Sequence, residues 1–292
     1  MEQPGQDHRP PPPPTAFGSR VIGRDERWSY VGFAVAIFVL CVGVYTGGRA
    51  LAGVLATTAP YSLDQTIGSM AAEQFLAGAS QCTNPVVIDA VQEITDRLVS
   101  GLDTQYHAVN VYVLDDDQVN AFALPGGYIF VLTGLLKTLQ SPEELVGVLG
   151  HELGHVVERH GVKRLAQNLW YRVLLLMVVG DMSGIGDVIA VQGFSLAERS
   201  FDRGQENESD EFGLELMKKV GYRPGRFPDF FDRLDNGGGP EFLSTHPDSA
   251  ERAESLREKI KQGHSPANPI APPSLERLQA PCHLNTSIQP TP

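Results

Sequence analysis

The sequence predicts an α+β fold, mainly helical with a small β-sheet, preceded by one transmembrane helix. Three observations carry this reading. No charged residue occurs between Trp28 and Gly48, a run close to the roughly 20 residues that cross a bilayer. Later segments place apolar residues at helical spacing. Between Val109 and Leu136 the pattern changes, with alternating or short apolar runs set around a Pro-Gly-Gly turn. At 292 residues the chain is long enough for one sizeable core with appendages.

Residues 1–27 contain HRPPPPP, mixed charges and few large apolar side chains, too little to offset ordering entropy, so a disordered Pro-rich tail is expected. It is read as a spacer, with a polyproline docking ligand as the alternative. The segment 28–48 is read as the transmembrane helix, with VGFAVAIFVLCVGVY at its centre and Trp28, Tyr30 and Tyr45 placed for the two interfaces. A buried core helix would not follow a disordered tail, and the long tail and long apolar run disfavour a cleaved signal peptide. Arg9, Arg20, Arg24 and Arg27 precede the run and Arg49 follows it. The positive-inside rule then puts the N-terminus in the cytoplasm and the rest outside, which is the periplasm if the cell is Gram-negative, while a mitochondrial or other setting gives the same topology. In that oxidising compartment Cys82 and Cys282 are candidates for a disulfide tying the C-terminal tail to the start of the domain; two unlinked buried thiols are the alternative. Cys41, inside the span, reads as a small apolar residue. The net charge of -12 argues against a nucleic-acid partner.

The body of the domain is expected over 60–262. Tyr61–Ala79 reads as a helix, and Pro85–Leu102 as a second, with Val86, Ile88, Val91, Ile94 and Leu98 in its pattern. VNVYVLDDD alternates as a strand. Asn120–Leu132 reads as a strand pair turning at Pro125, Gly126 and Gly127. An edge formed by Asn120, Ala121, Phe122 and Ala123 can hydrogen-bond an extended peptide as an added strand, unless the hairpin is purely structural.

Ser141–His160, SPEELVGVLGHELGHVVERH, carries the chemistry. Ser141 can cap a helix, Pro142 suits its first position, and Glu144 lies three residues past the cap. Four residues apart on that helix, His151 and His155 share a face and can reach one ion. Glu152 beside them is the natural general base for a zinc-bound water, whose pKa the metal lowers to about 7. Such a motif also arises by chance, but Val146, Val148, Leu149, Val156 and Val157 make this helix apolar, and buried His and Glu need partners. His160, five residues past His155, reads as a helix-end histidine favoured by the dipole rather than a ligand. LWYRVLLLMVVG, interrupted by Arg172, reads as a core helix or membrane-facing flap, and Gly180–Gly186 as a flexible break. The tail 263–292 is proline-rich, with Leu275, Leu278 and Cys282 able to dock.

A catalytic zinc takes three protein ligands and a water. In DRGQENESDEFGLELMKKVG, Phe212, Leu216, Met217 and Val220 form a buried stripe and Gly221 a stop. Glu206 and Asp210 share a face at its start, Glu206 able to ligate and Asp210 able to hold a ligand histidine's other nitrogen. An acidic first turn stabilised by the dipole would look the same, and spacing alone does not choose Glu206 among its acidic neighbours.

NAFALPGGYIFVLTGLL, EELVGVLGHELGHVVERHG, the pair Glu206 and Asp210, GYRPGRFPDFFDRL and STHPDSAER together resemble the M48 family of membrane-associated zinc metalloendopeptidases, the group that includes the CAAX prenyl protease and HtpX. The resemblance runs from about Ser62 to Leu256. It implies a zincin-like domain of gluzincin type, one Zn2+ per chain, Glu206 as third ligand and Asp210 as its support. Departures lie at Asp202, where the family has Ser, and at Ser209, where it has Ala. In STHPDSAER, His246 and Arg252 are candidates to stabilise the oxyanion of a tetrahedral intermediate, or else form a structural turn with a salt bridge. The function expected is a membrane-anchored endopeptidase acting on misfolded or envelope polypeptides. Two rivals are a client-holding chaperone-like factor with latent proteolysis, and a prenyl-protein protease, which needs several spans where one is offered. No oligomeric state follows.

Overall fold

A computed structural model describes residues 24–106, 108–179, 201–234, 239–247 and 249–283. The expected disordered tail falls outside them up to residue 23, as does the expected break at Gly180–Gly186. The chain divides into two compact units, Met1–Gly47 and Gly48–Pro292. Helix α1 (Arg24–Thr58) starts within the segment read as tail and continues past Gly48. Its Trp28–Val54 stretch is long and apolar enough to cross a membrane.

In the second unit, α2 (Tyr61–Gly78) and α3 (Pro85–Val99) precede a three-stranded sheet of β1 (Asn110–Leu114), β2 (Ala121–Leu124) and β3 (Tyr128–Leu132) in the order β1-β3-β2. β2 and β3 are antiparallel, with Leu124 opposite Tyr128, while β1 runs parallel to β3. The three-residue turn needs glycine. Gly126 has φ 77 and Gly127 φ 88, and a Cβ on Gly126 would stand 2.6 Å from Gln65 Cα. β2 is an edge strand of this sheet. Phe122 and Phe130 stack with ring centres 4.9 Å apart, and Phe75 of α2 meets both edge-on.

After the short α4 (Thr133–Thr138), helix α5 (Pro142–Val157) runs through the core, with every residue from Glu144 to Val156 buried. A helix apolar on all sides is an interior helix. Its start differs from the expected cap. Ser141 occupies the cap position, but its hydroxyl donates to Glu143 Oε2 at 2.8 Å, and Glu144 Oε2 accepts the Gln140 backbone N–H at 3.1 Å.

Beyond α6 (His160–Val179) lies α7 (Arg203–Lys219), begun by a capping box in which Asp202 accepts the Gln205 N–H at 3.0 Å. It ends at Gly221, φ 94. α7 packs on α5 through small residues. A Cβ on Gly154 would lie 2.8 Å from Ser209 Cα, and one on Gly150 3.2 Å from Gly213 Cα. α8 (Phe227–Arg233), α9 (Pro240–Thr245) and α10 (Ser249–Gln262) close the core, with Phe227, Phe230, Phe231 and Phe242 fully buried.

The C-terminal segment is docked as far as His283. Cys82 and Cys282 are joined, Asn84 Nδ2 donates to the Pro281 carbonyl at 2.7 Å, and Leu278 of α11 (Leu275–Leu278) is buried. Gln279 Nε2 donates to the Leu136 and Leu139 carbonyls at 3.0 and 2.9 Å.

Candidate metal centre

The close α5–α7 seam brings a glutamate from one helix against a histidine pair on the other. His151 Nε2 and His155 Nε2 are 3.0 Å apart, and Glu206 places Oε2 3.5 Å from the first and Oε1 3.5 Å from the second. The following segment adds a fourth donor. His246 Nδ1 lies 3.2 Å from His151 Nε2 and 3.1 Å from Glu206 Oε1. These four side chains, all buried, offer donor atoms within 4.8 Å of one another.

The spacing suits a small ion. Bonds of about 2.0–2.1 Å in a tetrahedron put ligands roughly 3.3 Å apart, and the donor separations scatter around that value. A second observation agrees: among the described residues both Glu152 oxygens and His246 Nε2 are buried without a hydrogen-bond partner, though Glu152 Oε1 and His246 Nε2 are 3.5 Å apart. Unpartnered buried polar atoms around a donor cluster are what a site shaped for an ion and its substrate presents. The residues fit zinc.

The electrostatics follow from burial and from the mix of charges. Burial pushes the Glu152 carboxyl up to about 7, against the pull of His246. Glu206 goes the other way. Burial would raise it, but His246, Arg252 and His151 outweigh that and hold it well below the usual carboxylate range. Burial lowers His151 and His155, leaving neutral rings with lone pairs to offer. His246 is held up despite burial by Glu206 and Glu152.

Behind the donors stand supporting groups. Asp210 Oδ1 accepts from His151 Nδ1 at 2.8 Å. Arg252 pairs with Asp210 through Nε and Nη2, both at 2.7 Å, and with Glu206 through Nη1 at 2.6 Å. Of the two candidates for the oxyanion, then, the guanidinium of Arg252 is occupied by two carboxylates, whereas His246 sits inside the donor group itself. Asn120 and Ala121 are buried at the start of β2, where Asn120 Oδ1 accepts from Thr245 Oγ1 at 3.5 Å. Phe122 belongs to the aromatic face of the sheet. The Ala123 backbone faces Glu152 and favours its ionised form, but outside hydrogen-bond geometry.

His160 departs from its expected place. A continuous helix would turn it about 140° away from His155. Instead α5 ends at Val157, Arg159 adopts φ 55, and His160 opens α6 fully buried. Its Nδ1 comes within 2.9 Å of His155 Nδ1. A left-handed arginine leaves no signature in residue spacing, so sequence periodicity misses this neighbour.

Comparison with known proteins adds context. Residues 88–260 match the family described as peptidase family M48. Among relatives, the mitochondrial metalloendopeptidase OMA1 of Arabidopsis thaliana is 36% identical over 50% of this chain and 30% of its own length. The beta-barrel assembly-enhancing protease of Yersinia pestis is 29% identical over 70% of this chain and 46% of its own. OMA1 of Saccharomyces cerevisiae is 30% identical over 56% of this chain and 49% of its own. In each case the chain spans less than half of the relative's length.

Proposed function

The chain belongs to peptidase family M48, and from that premise we propose that it is a membrane-anchored zinc endopeptidase that cleaves misfolded or envelope polypeptides in protein quality control. The observation that carries this reading is the buried donor group on two helices beside a buried, unpartnered Glu152. His151, His155 and Glu206 would hold one zinc ion, with Asp210 orienting the His151 ring. When bound, zinc lowers the pKa of a water to about 7 and polarises a carbonyl.

Glu152 takes up a proton at its carboxylate and returns it to the leaving amine nitrogen. A carboxyl poised near 7 is matched to both halves of that task. Arg252 keeps Glu206 and Asp210 ionised and fixed in place. The edge of β2 away from β3, from Asn120 to Ala123, lies beside Glu152 and would take an extended substrate laid down as a further strand. The apolar part of α1 supplies the anchor, and the arginines before it support a cytoplasmic N-terminus with the peptidase domain outside.

A second reading has its own observation. With His246 Nδ1 3.2 Å from His151 Nε2 and 3.1 Å from Glu206 Oε1, His246 would serve as a fourth protein ligand in the place that a catalytic zinc keeps for water. That arrangement would be a resting state in which clients are held and proteolysis is latent, and withdrawal of His246 would free it for the oxyanion. The test measures zinc content and casein cleavage for the wild type, Glu152→Gln and His246→Ala. One zinc per chain with cleavage lost in Glu152→Gln supports the peptidase; absence of zinc, or full turnover in Glu152→Gln, refutes it. Higher turnover in His246→Ala supports the resting state, and lost turnover assigns His246 to the oxyanion.

A further inference from the structure

We propose that His160 is a positioning residue for the metal site, holding the His155 ring in the orientation and tautomer that present its Nε2 to the ion; this rests on the zinc reading above. The two nitrogens of the His155 ring face different surroundings. Its Nε2 points into the donor group, 3.0 Å from His151 Nε2 and 3.5 Å from Glu206 Oε1. To offer a lone pair there, a neutral imidazole carries its proton on Nδ1. That Nδ1–H has an acceptor, His160 Nδ1 at 2.9 Å.

The assignment then propagates. His160 accepts at Nδ1, so its own proton sits on Nε2, which faces Glu208 Oε2 at 3.1 Å. The Ser209 hydroxyl, 3.3 Å from the same His160 Nδ1, adds a second donor to it from α7. His155 is therefore backed by an imidazole that is itself backed by a carboxylate.

His151 has the shorter version of this device. Its Nδ1 donates to Asp210 directly, and Arg252 grips Asp210. The two ligand histidines thus end on acidic groups of α7, one in a single step and one through His160. The Phe201 ring lies over His155 with centres 3.9 Å apart and 23° between planes, which fixes the ring plane but not which nitrogen faces the ion. His160 supplies that choice.

The local backbone serves this contact. Arg159, at φ 55, is tied by Nε to Asp64 Oδ2 at 2.8 Å and by Nη1 to the Ala59 carbonyl at 2.7 Å. Asp64 is buried. The strained turn that swings His160 back towards His155 is thus paired on the far side by α2, which offsets a backbone conformation that residues other than glycine rarely adopt.

The experiment uses the full chain in detergent and measures zinc affinity by competition with a chromogenic chelator. Removal of an outer partner of a ligand histidine lowers metal affinity about 10–100-fold, and that loss is expected for His160→Phe, which fills the space without an acceptor. His160→Asn keeps a short side-chain oxygen near the position of Nδ1 and is expected to recover affinity to within roughly threefold of wild type, a rescue that packing alone does not provide. A folded His160→Phe that binds as tightly as wild type, or an Asn variant as weak as the Phe variant, overturns the proposal while the metal reading stands. A wild type that binds no zinc overturns the metal reading and this proposal with it. Should the Phe variant not fold, ring-nitrogen NMR of the zinc-loaded wild type decides: a slowly exchanging Nδ1–H on His155 supports the bond to His160, and its absence sinks it.

Discussion

Helix α5 carries two fully buried carboxylates, Glu144 and Glu152, two turns apart and equally removed from water. Glu144 is satisfied: Arg233 reaches both of its oxygens, Nη1 standing 3.0 Å from Oε1, and the Gln140 N–H donates to Oε2. Among the described residues Glu152 has no hydrogen-bond partner. One carboxylate anchors the start of the helix to α8, and the other is left unsatisfied next to a cluster of donors that could hold a metal. Burial by itself does not mark a reactive group; burial without a partner does, because the fold bears a desolvation cost that only a ligand or a reaction offsets.

The largest effect that would test this contrast is on turnover. Glu152→Gln is expected to lower cleavage of an unfolded protein by about 10²–10⁴-fold, with zinc content unchanged and thermal stability equal to or above wild type. A marked loss of stability would mean that Glu152 is a structural partner like Glu144. Glu144→Ala should show the opposite pattern. It leaves Arg233 unpaired at one-quarter exposure, so the cost, measured from denaturant midpoints, should be about 2–3 kcal/mol, below that of a wholly buried pair.

A weaker perturbation tests the seam between α5 and α7. Gly154→Ala puts a Cβ 2.8 Å from Ser209 Cα, and is expected to cost about 1–3 kcal/mol and to weaken zinc binding by separating Glu206 from the histidines. Unchanged zinc affinity, measured by chelator competition, would show that the seam has slack. The smallest effect is expected when both members of the satisfied pair are replaced. Glu144→Leu with Arg233→Leu should lose less than Glu144→Ala, within roughly 1 kcal/mol of wild type, because no charge is left alone. A double variant as unstable as the single one would show that the Gln140 N–H, not Arg233, is the partner that matters at Glu144.

Much of this was legible residue by residue. The His151-Glu152-His155 spacing is local, and so is the apolar character of α5, because helix geometry converts offsets of three and four directly into shared faces. The strand pair and its Pro125-Gly126-Gly127 turn are legible for the same reason, since turn chemistry depends on a few adjacent dihedral angles. Glu206 was a candidate among several acids, and only the resemblance singled it out. Its place against the histidines depends on the approach of Gly150 and Gly154 to Gly213 and Ser209, a fit between two distant helices. Arg252 reads from sequence either as an oxyanion candidate or as part of a salt bridge, and only the packing shows it paired with Glu206 and Asp210.

Sequence alone determined the anchor-like apolar run, the mixed fold and the helix that carries the candidate metal ligands, because each is written in neighbouring residues whose period matches a single element of structure. Tertiary structure decided which acid meets the histidine pair, that His246 joins the donors, and that His160 folds back on His155 across a left-handed Arg159. Those outcomes depend on how separate helices pack and on one backbone reversal, and neither the packing distance nor the sign of φ is encoded in the spacing of side chains.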